Sequence, residues 1–110
     1  MEIETDKLGK IDAVKPVGRL DSVTAGELQE ALDPLLTSPG AHILLDLSAV
    51  TYISSAGLRT VLATSKRLAS SQGKLHLCGL AGMVQEVFRL AHLDGALPVF
   101  ADRQEAIDGF

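Results

Sequence analysis

The 110-residue chain has room for one globular domain and no second core; with 46% hydrophobic and 22% charged residues it does not have the composition of a disordered chain. Aromatic residues make up only 4% and there is no Trp, so the core has to be built from Leu, Val, Ile and Ala. A net charge of −4 with dispersed Lys and Arg speaks against nucleic-acid binding. The acidic start Met1–Asp6 is no signal peptide, no apolar run reaches the roughly 18 residues of a membrane span, and the lone Cys78 has no disulfide partner; a cytoplasmic domain without membrane insertion is expected.

Ile3 to Thr5 and Ile11 to Leu20 read as two strands around a Lys7-Leu8-Gly9-Lys10 turn, an opening hairpin in which Pro16 marks an irregular or edge-like stretch. From Thr24 to Leu36 the apolar residues Leu28, Ala31, Leu32 and Leu35 predict a helix. Thr24 and Glu27 are spaced as a capping box at its start, and Pro39-Gly40 lies beyond its end. Ile43 to Leu47 is a nearly unbroken apolar run, suited to a strand covered on both faces. After a loop, Leu58, Val61, Leu62, Ser65 and Leu68 predict a second helix that ends near Gln72-Gly73. Lys74 to Cys78 is a further strand. Met83, Val84, Val87, Phe88 and Ala91 mark a third helix, Leu97 to Phe100 a short extended piece, and Arg103 to Ile107 a terminal helical turn. Strands alternating with helices predict a single α/β domain over residues 1–110: a mixed, mostly parallel sheet behind an N-terminal hairpin, packed with about four helices.

Little of this carries catalytic chemistry. His42, His76 and His92 are far apart, and none has a Cys or His at metal-ligand spacing. Cys78, inside an apolar strand, reads as a core residue. Gly79-Leu80-Ala81-Gly82 joins a strand to a helix but lacks the third glycine and the lysine of a phosphate loop, and Ser55 is not inside a nucleophile elbow. No catalytic residue, metal site or cofactor is expected.

The informative stretch is Asp46 to Arg59, where a buried strand feeds a loop and the loop feeds a helix through Ser54 and Ser55. A serine there can cap free backbone N–H groups, a contribution of about 1 kcal/mol. Gly57, just inside the helix, costs about 0.5–1 kcal/mol. Next to Ala56 it leaves a serine hydroxyl open to a large partner. The helix start also favours an added anion. Simple capping and a phosphate-bearing switch both fit these residues.

Asp46-Leu47-Ser48 followed by Tyr52-Ile53-Ser54-Ser55-Ala56-Gly57-Leu58 resembles the signature of the STAS domain, in particular of the bacterial anti-sigma factor antagonists. Gly18-Arg19-Leu20-Asp21 before Thr24-Ala25 resembles the family's second landmark. The resemblance implies a non-enzymatic partner switch. The unphosphorylated protein binds an anti-sigma factor that is itself a serine kinase, phosphorylation breaks the complex, and a metal-dependent serine phosphatase of the PP2C type restores it. It implies Ser55 as phosphoacceptor, with Ser54 as the alternative because Ser54 stands where relatives often carry Asp. Asp21, Ser54, Ala56, Gly57, Leu58 and Arg59 are the implied partner contacts. The same fold also serves accessory subunits of lipid-transport ABC complexes, the competing expectation, and cytosolic tails of anion transporters, which Met1 and the lack of a membrane segment disfavour.

Overall fold

A computed structural model describes all residues from Met1 to Phe110. The chain opens with the hairpin β1 (Glu2–Leu8) and β2 (Ile11–Leu20), closed by Gly9 at φ 65°. There follow α1 (Ala25–Leu32), a 3-10 turn (Asp33–Thr37), β3 (His42–Asp46), β4 (Val50–Ile53) and α2 (Ser55–Ser70). The chain ends with β5 (Lys74–Cys78), α3 (Gly82–Leu90), β6 (Val99–Phe100) and α4 (Arg103–Asp108). No helix is long and apolar enough to cross a membrane.

Five strands run in the order β1-β2-β3-β5-β6, antiparallel only in the hairpin, and β4 pairs in parallel with the far end of β2. β2 pairs with β3 over Ile11–Val14 and with β4 over Gly18–Leu20. Pro16 falls in the gap between them, where its missing N–H costs no ladder bond on that side. The irregularity itself lies two residues on, a register shift between Gly18 and Arg19.

Alternation along the strands makes two cores. Val14, Leu20, Ile43, Leu45, Leu75 and Leu77 face α1, α2 and α3, meeting Leu28, Leu32, Val61, Leu68, Val84 and Phe88. Ile11, Ala13, Leu44 and Cys78 face the other way, towards Ala106 of α4. The mixed, mostly parallel sheet with four helices is the fold expected from sequence.

Three local expectations are corrected. The helix from Thr24 stops at Leu32, and the rest of the stretch to Leu36 falls in the 3-10 turn, where Pro34 cannot supply an α-helical N–H. The Thr24–Glu27 capping box does not form. Thr24 Oγ1 donates to the Arg19 carbonyl at 2.7 Å, Glu27 accepts from the Met1 amino group at 2.6 Å, and the Asp21 carbonyl accepts the first amide of α1, that of Ala25, at 2.8 Å. The segment before α2, a loop by its sequence pattern, contains a strand, β4.

Candidate functional site

The parallel strands β2, β3, β4 and β5 all point the same way. β2 and β4 run past the ends of β3 and β5 to Leu20 and Ile53 at the carboxyl end of the sheet, where open α/β sheets commonly hold their sites. The start of α2 lies there. Ser54 is in the extended region (φ −98°, ψ 176°) and is the N-cap: its Oγ accepts the Gly57 amide at 3.4 Å. Its own amide donates to the Leu20 carbonyl at 2.9 Å, and its carbonyl accepts from Leu58 at 3.0 Å. Ser54 is thus absorbed by the fold. Ser55 is the first helical residue and is exposed. Ala56 and Leu58 are half-buried, and Arg59 is exposed one turn after Ser55. The first turn of α2 carries no acid.

Gly57 is buried, and the reason for a glycine is closeness rather than openness. A Cβ there would lie 2.9 Å from Leu20 Cγ, from the Leu20 carbonyl oxygen and from Ile53 Cγ1. The helix start is therefore pressed against the ends of β2 and β4, and Gly57 sits beneath the surface formed by its neighbours.

Asp21 holds the adjoining loop. Its Oδ1 accepts from the amides of Val23 at 3.0 Å and Thr24 at 3.1 Å, and Thr24 Oγ1 accepts the Asp21 amide at 2.9 Å. The bonds from Thr24 and Val23, helped by Arg19, keep the Asp21 carboxyl below the usual carboxylate range. The Arg19 guanidinium, 3.8 Å from Asp21 Oδ2, lies 4.0 Å over the Tyr52 ring. The Ser54–Leu20 bond links this loop to the serines.

Residues 2–106 match the sequence profile of the STAS domain. The chain belongs to the STAS domain family. It is 34% identical over 110 residues to BtrV of Bordetella bronchiseptica, a candidate anti-sigma factor antagonist, covering 100% of this chain and 95% of that protein. It is 30% identical over 99 residues to the anti-sigma-B factor antagonist of Staphylococcus aureus, covering 90% and 92%. Among solved structures, the Bacillus cell-fate determinant SpoIIAA has the same fold in its unphosphorylated form (TM-score 0.75, 17% identity, 97% and 96% covered). Its phosphorylated form matches equally (TM-score 0.75, 19% identity, 97% of each chain covered).

In this STAS domain three large apolar residues are exposed that the sequence motifs do not mark, among them Leu90 at the end of α3. Val23, 79% exposed, is fixed by the Asp21 turn, and Met83 at the start of α3 is 41% exposed although its spacing placed it with the core. Val23 had a signal, a β-branched apolar residue in the polar run Asp21-Ser22-Val23-Thr24; Met83 had none. The other side chains weighed for chemistry serve packing. His76 is buried, with Nδ1 2.9 Å from the Ala106 carbonyl and its ring 3.8 Å from that of Phe110. Phe110 also stacks on His42, and His92 is exposed. Burial, and then the nearby Asp46 charge, push the Cys78 thiol up to about 12, which leaves it protonated and unreactive at neutral pH.

Proposed function

We propose that this STAS domain is an anti-sigma factor antagonist that works as a partner switch, with Ser55 as the phosphoacceptor. The observation that carries the reading is the separation of two neighbouring hydroxyls: Ser54 is spent on capping α2, and Ser55 is exposed at the first helical position. A kinase can take Ser55 without undoing the helix cap. The added phosphate would meet free amides and the positive end of a helix dipole, so the fold tolerates it. SpoIIAA has this fold in both its unphosphorylated and its phosphorylated form.

Unphosphorylated, the domain docks on an anti-sigma factor with serine-kinase activity, through Ala56, Leu58 and Arg59 with Val23 at the rim. Gly57 contributes by letting that surface sit close to β2 and β4. Asp21 contributes by holding the Val23 turn. Phosphorylation adds about −1.5 to −2 charges. An unpaired charge buried in an interface costs about 2–5 kcal/mol, roughly thirty- to several-thousand-fold in affinity. A serine phosphatase of the PP2C type removes the charge. The domain is the substrate of both enzymes and supplies no catalytic group.

Binding of the anti-sigma factor kinase, measured by calorimetry, should be retained in Ser55→Ala and lost or strongly weakened in phosphorylated wild type. Ser55→Asp, with a single charge, should fall between them. Equal affinity of the phosphorylated and unphosphorylated proteins would refute the switch.

A further inference from the structure

Asp46 ends β3 and is 6% exposed, an isolated acid on a strand that is otherwise apolar after its first residue. Its Oδ1 accepts the Ser48 amide at 3.0 Å. Its Oδ2 accepts from Arg103 Nε at 3.2 Å and Nη2 at 3.1 Å, a side chain 57 residues away on α4. Removing one partner of a buried pair is strongly destabilising, because it strands the other. Such a pair is informative for what it joins. Here it joins α4 to the turn at 47–49.

That turn is where β4 departs. The Leu47 amide donates to the Cys78 carbonyl at 2.9 Å, Val50 to Leu47 at 3.0 Å, and Gly18 to Ala49 at 2.9 Å. Gly79 presses on it so closely that a Cβ would lie 2.7 Å from Ser48 Cβ. β4 itself is four residues long and pairs only with β2, across a register shift. Three pairs across an irregular ladder hold a strand weakly, so its origin matters. Ser54 and Ser55 follow directly from its end.

We propose that Asp46 and Arg103 are positioning residues for the serine switch: their ion pair ties α4 to the 47–49 turn and thereby fixes where β4 delivers Ser54 and Ser55. The functional meaning rests on the reading of Ser55 as phosphoacceptor; the coupling is measurable without phosphate. α4 packs against β3, β5 and β6, on the side of the sheet opposite α2, so an effect of Arg103 on the start of α2 is not a direct contact, and Asp46 with its bond to Ser48 is the polar link that carries it.

The test is amide hydrogen exchange on the unphosphorylated full chain, for wild type, Arg103→Gln, Asp46→Asn and the double variant. Exchange over residues 47–58 should quicken about tenfold in each single variant, with β1 and α1 unchanged. The double variant should be no worse than either single, because both cut one link. Arg103→Lys, which keeps a charge for Asp46, should recover most of the protection. Should Asp46→Asn not fold, the half-exposed Arg103 and its lysine rescue decide the matter alone. Unchanged exchange over 47–58 in Arg103→Gln, or exchange quickened equally in β1 and α1, would overturn the proposal. A phosphate found elsewhere than Ser55 would instead refute the switch and leave the measured coupling standing.

Discussion

At the start of α2 two adjacent hydroxyls meet different surroundings. Ser54, extended, can reach back to the Gly57 amide, while Ser55 has already entered the helix and is exposed. The sequence alone leaves capping and switching open because Ser-Ser does not say which residue is still extended. One residue of helix onset gives Ser54 the cap and leaves Ser55 exposed, the arrangement the proposed switch requires. Gly57 is the neighbouring case. Alanine is the better helix former by about 1 kcal/mol, yet its Cβ would stand 2.9 Å from a backbone carbonyl that cannot turn away. Overpacking should win: Gly57→Ala is expected to be destabilised by about 1–3 kcal/mol, seen as a melting temperature lower by roughly 4–8 °C for each kcal/mol in a domain of this size. An unchanged or raised melting temperature would mean that α2 is free to move off β2.

Among the elements, the strongly patterned ones were legible, and so were the short β6 and α4, whereas β4 was not. β3 and β5 are apolar runs and α2 has a clear stripe, so their places follow from periodicity. β4 was hidden in a loop although Val50-Thr51-Tyr52-Ile53 is rich in strand formers, because four residues give too short a pattern beside a helix signal. α1 starts at its N-cap Thr24 as expected, but the capping box does not form since Thr24 Oγ1 is claimed by Arg19 and Asp21, contacts made by the preceding loop and not by the helix. The link between α4 and the 47–49 turn has no local signature at all. Its pH response can be given a sign. Burial raises the Asp46 carboxyl, but the bonds from Ser48 and Arg103 outweigh this and leave it below its ordinary value. A lowered folded value stabilises the native state above the ordinary Asp value of about 3.9 and loses that stability as pH falls through the folded value. Residues 47–58 should therefore loosen in acid, below about pH 4, with Arg103→Gln already loosened at neutral pH. Nuclear magnetic resonance of their amides checks this; a turn indifferent to the Asp46 titration would contradict it.

For the whole molecule, the fold brings towards the carboxyl end of the sheet what the chain spreads out: the 47–49 turn and the β5–α3 connection where β3 and β5 stop, and the Asp21–Val23 turn and the two serines where β2 and β4 stop. The sheet is the scaffold, and Arg103 ties α4 on its other face to the 47–49 turn through Asp46. Membership of the STAS family was legible from the two motifs. The exposure of Met83 was not, because its helical spacing is that of a core residue and exposure is decided by tertiary neighbours. The proposed partner surface, centred on an exposed, non-capping serine, makes one direct demand. The wild-type chain, Ser54→Ala and Ser55→Ala are incubated with the anti-sigma factor kinase and ATP, and phosphate is located by tandem mass spectrometry. The predicted result is one phosphate on Ser55 in wild type and in Ser54→Ala, and none in Ser55→Ala. Phosphate on Ser54, or undiminished phosphorylation of Ser55→Ala, would contradict it.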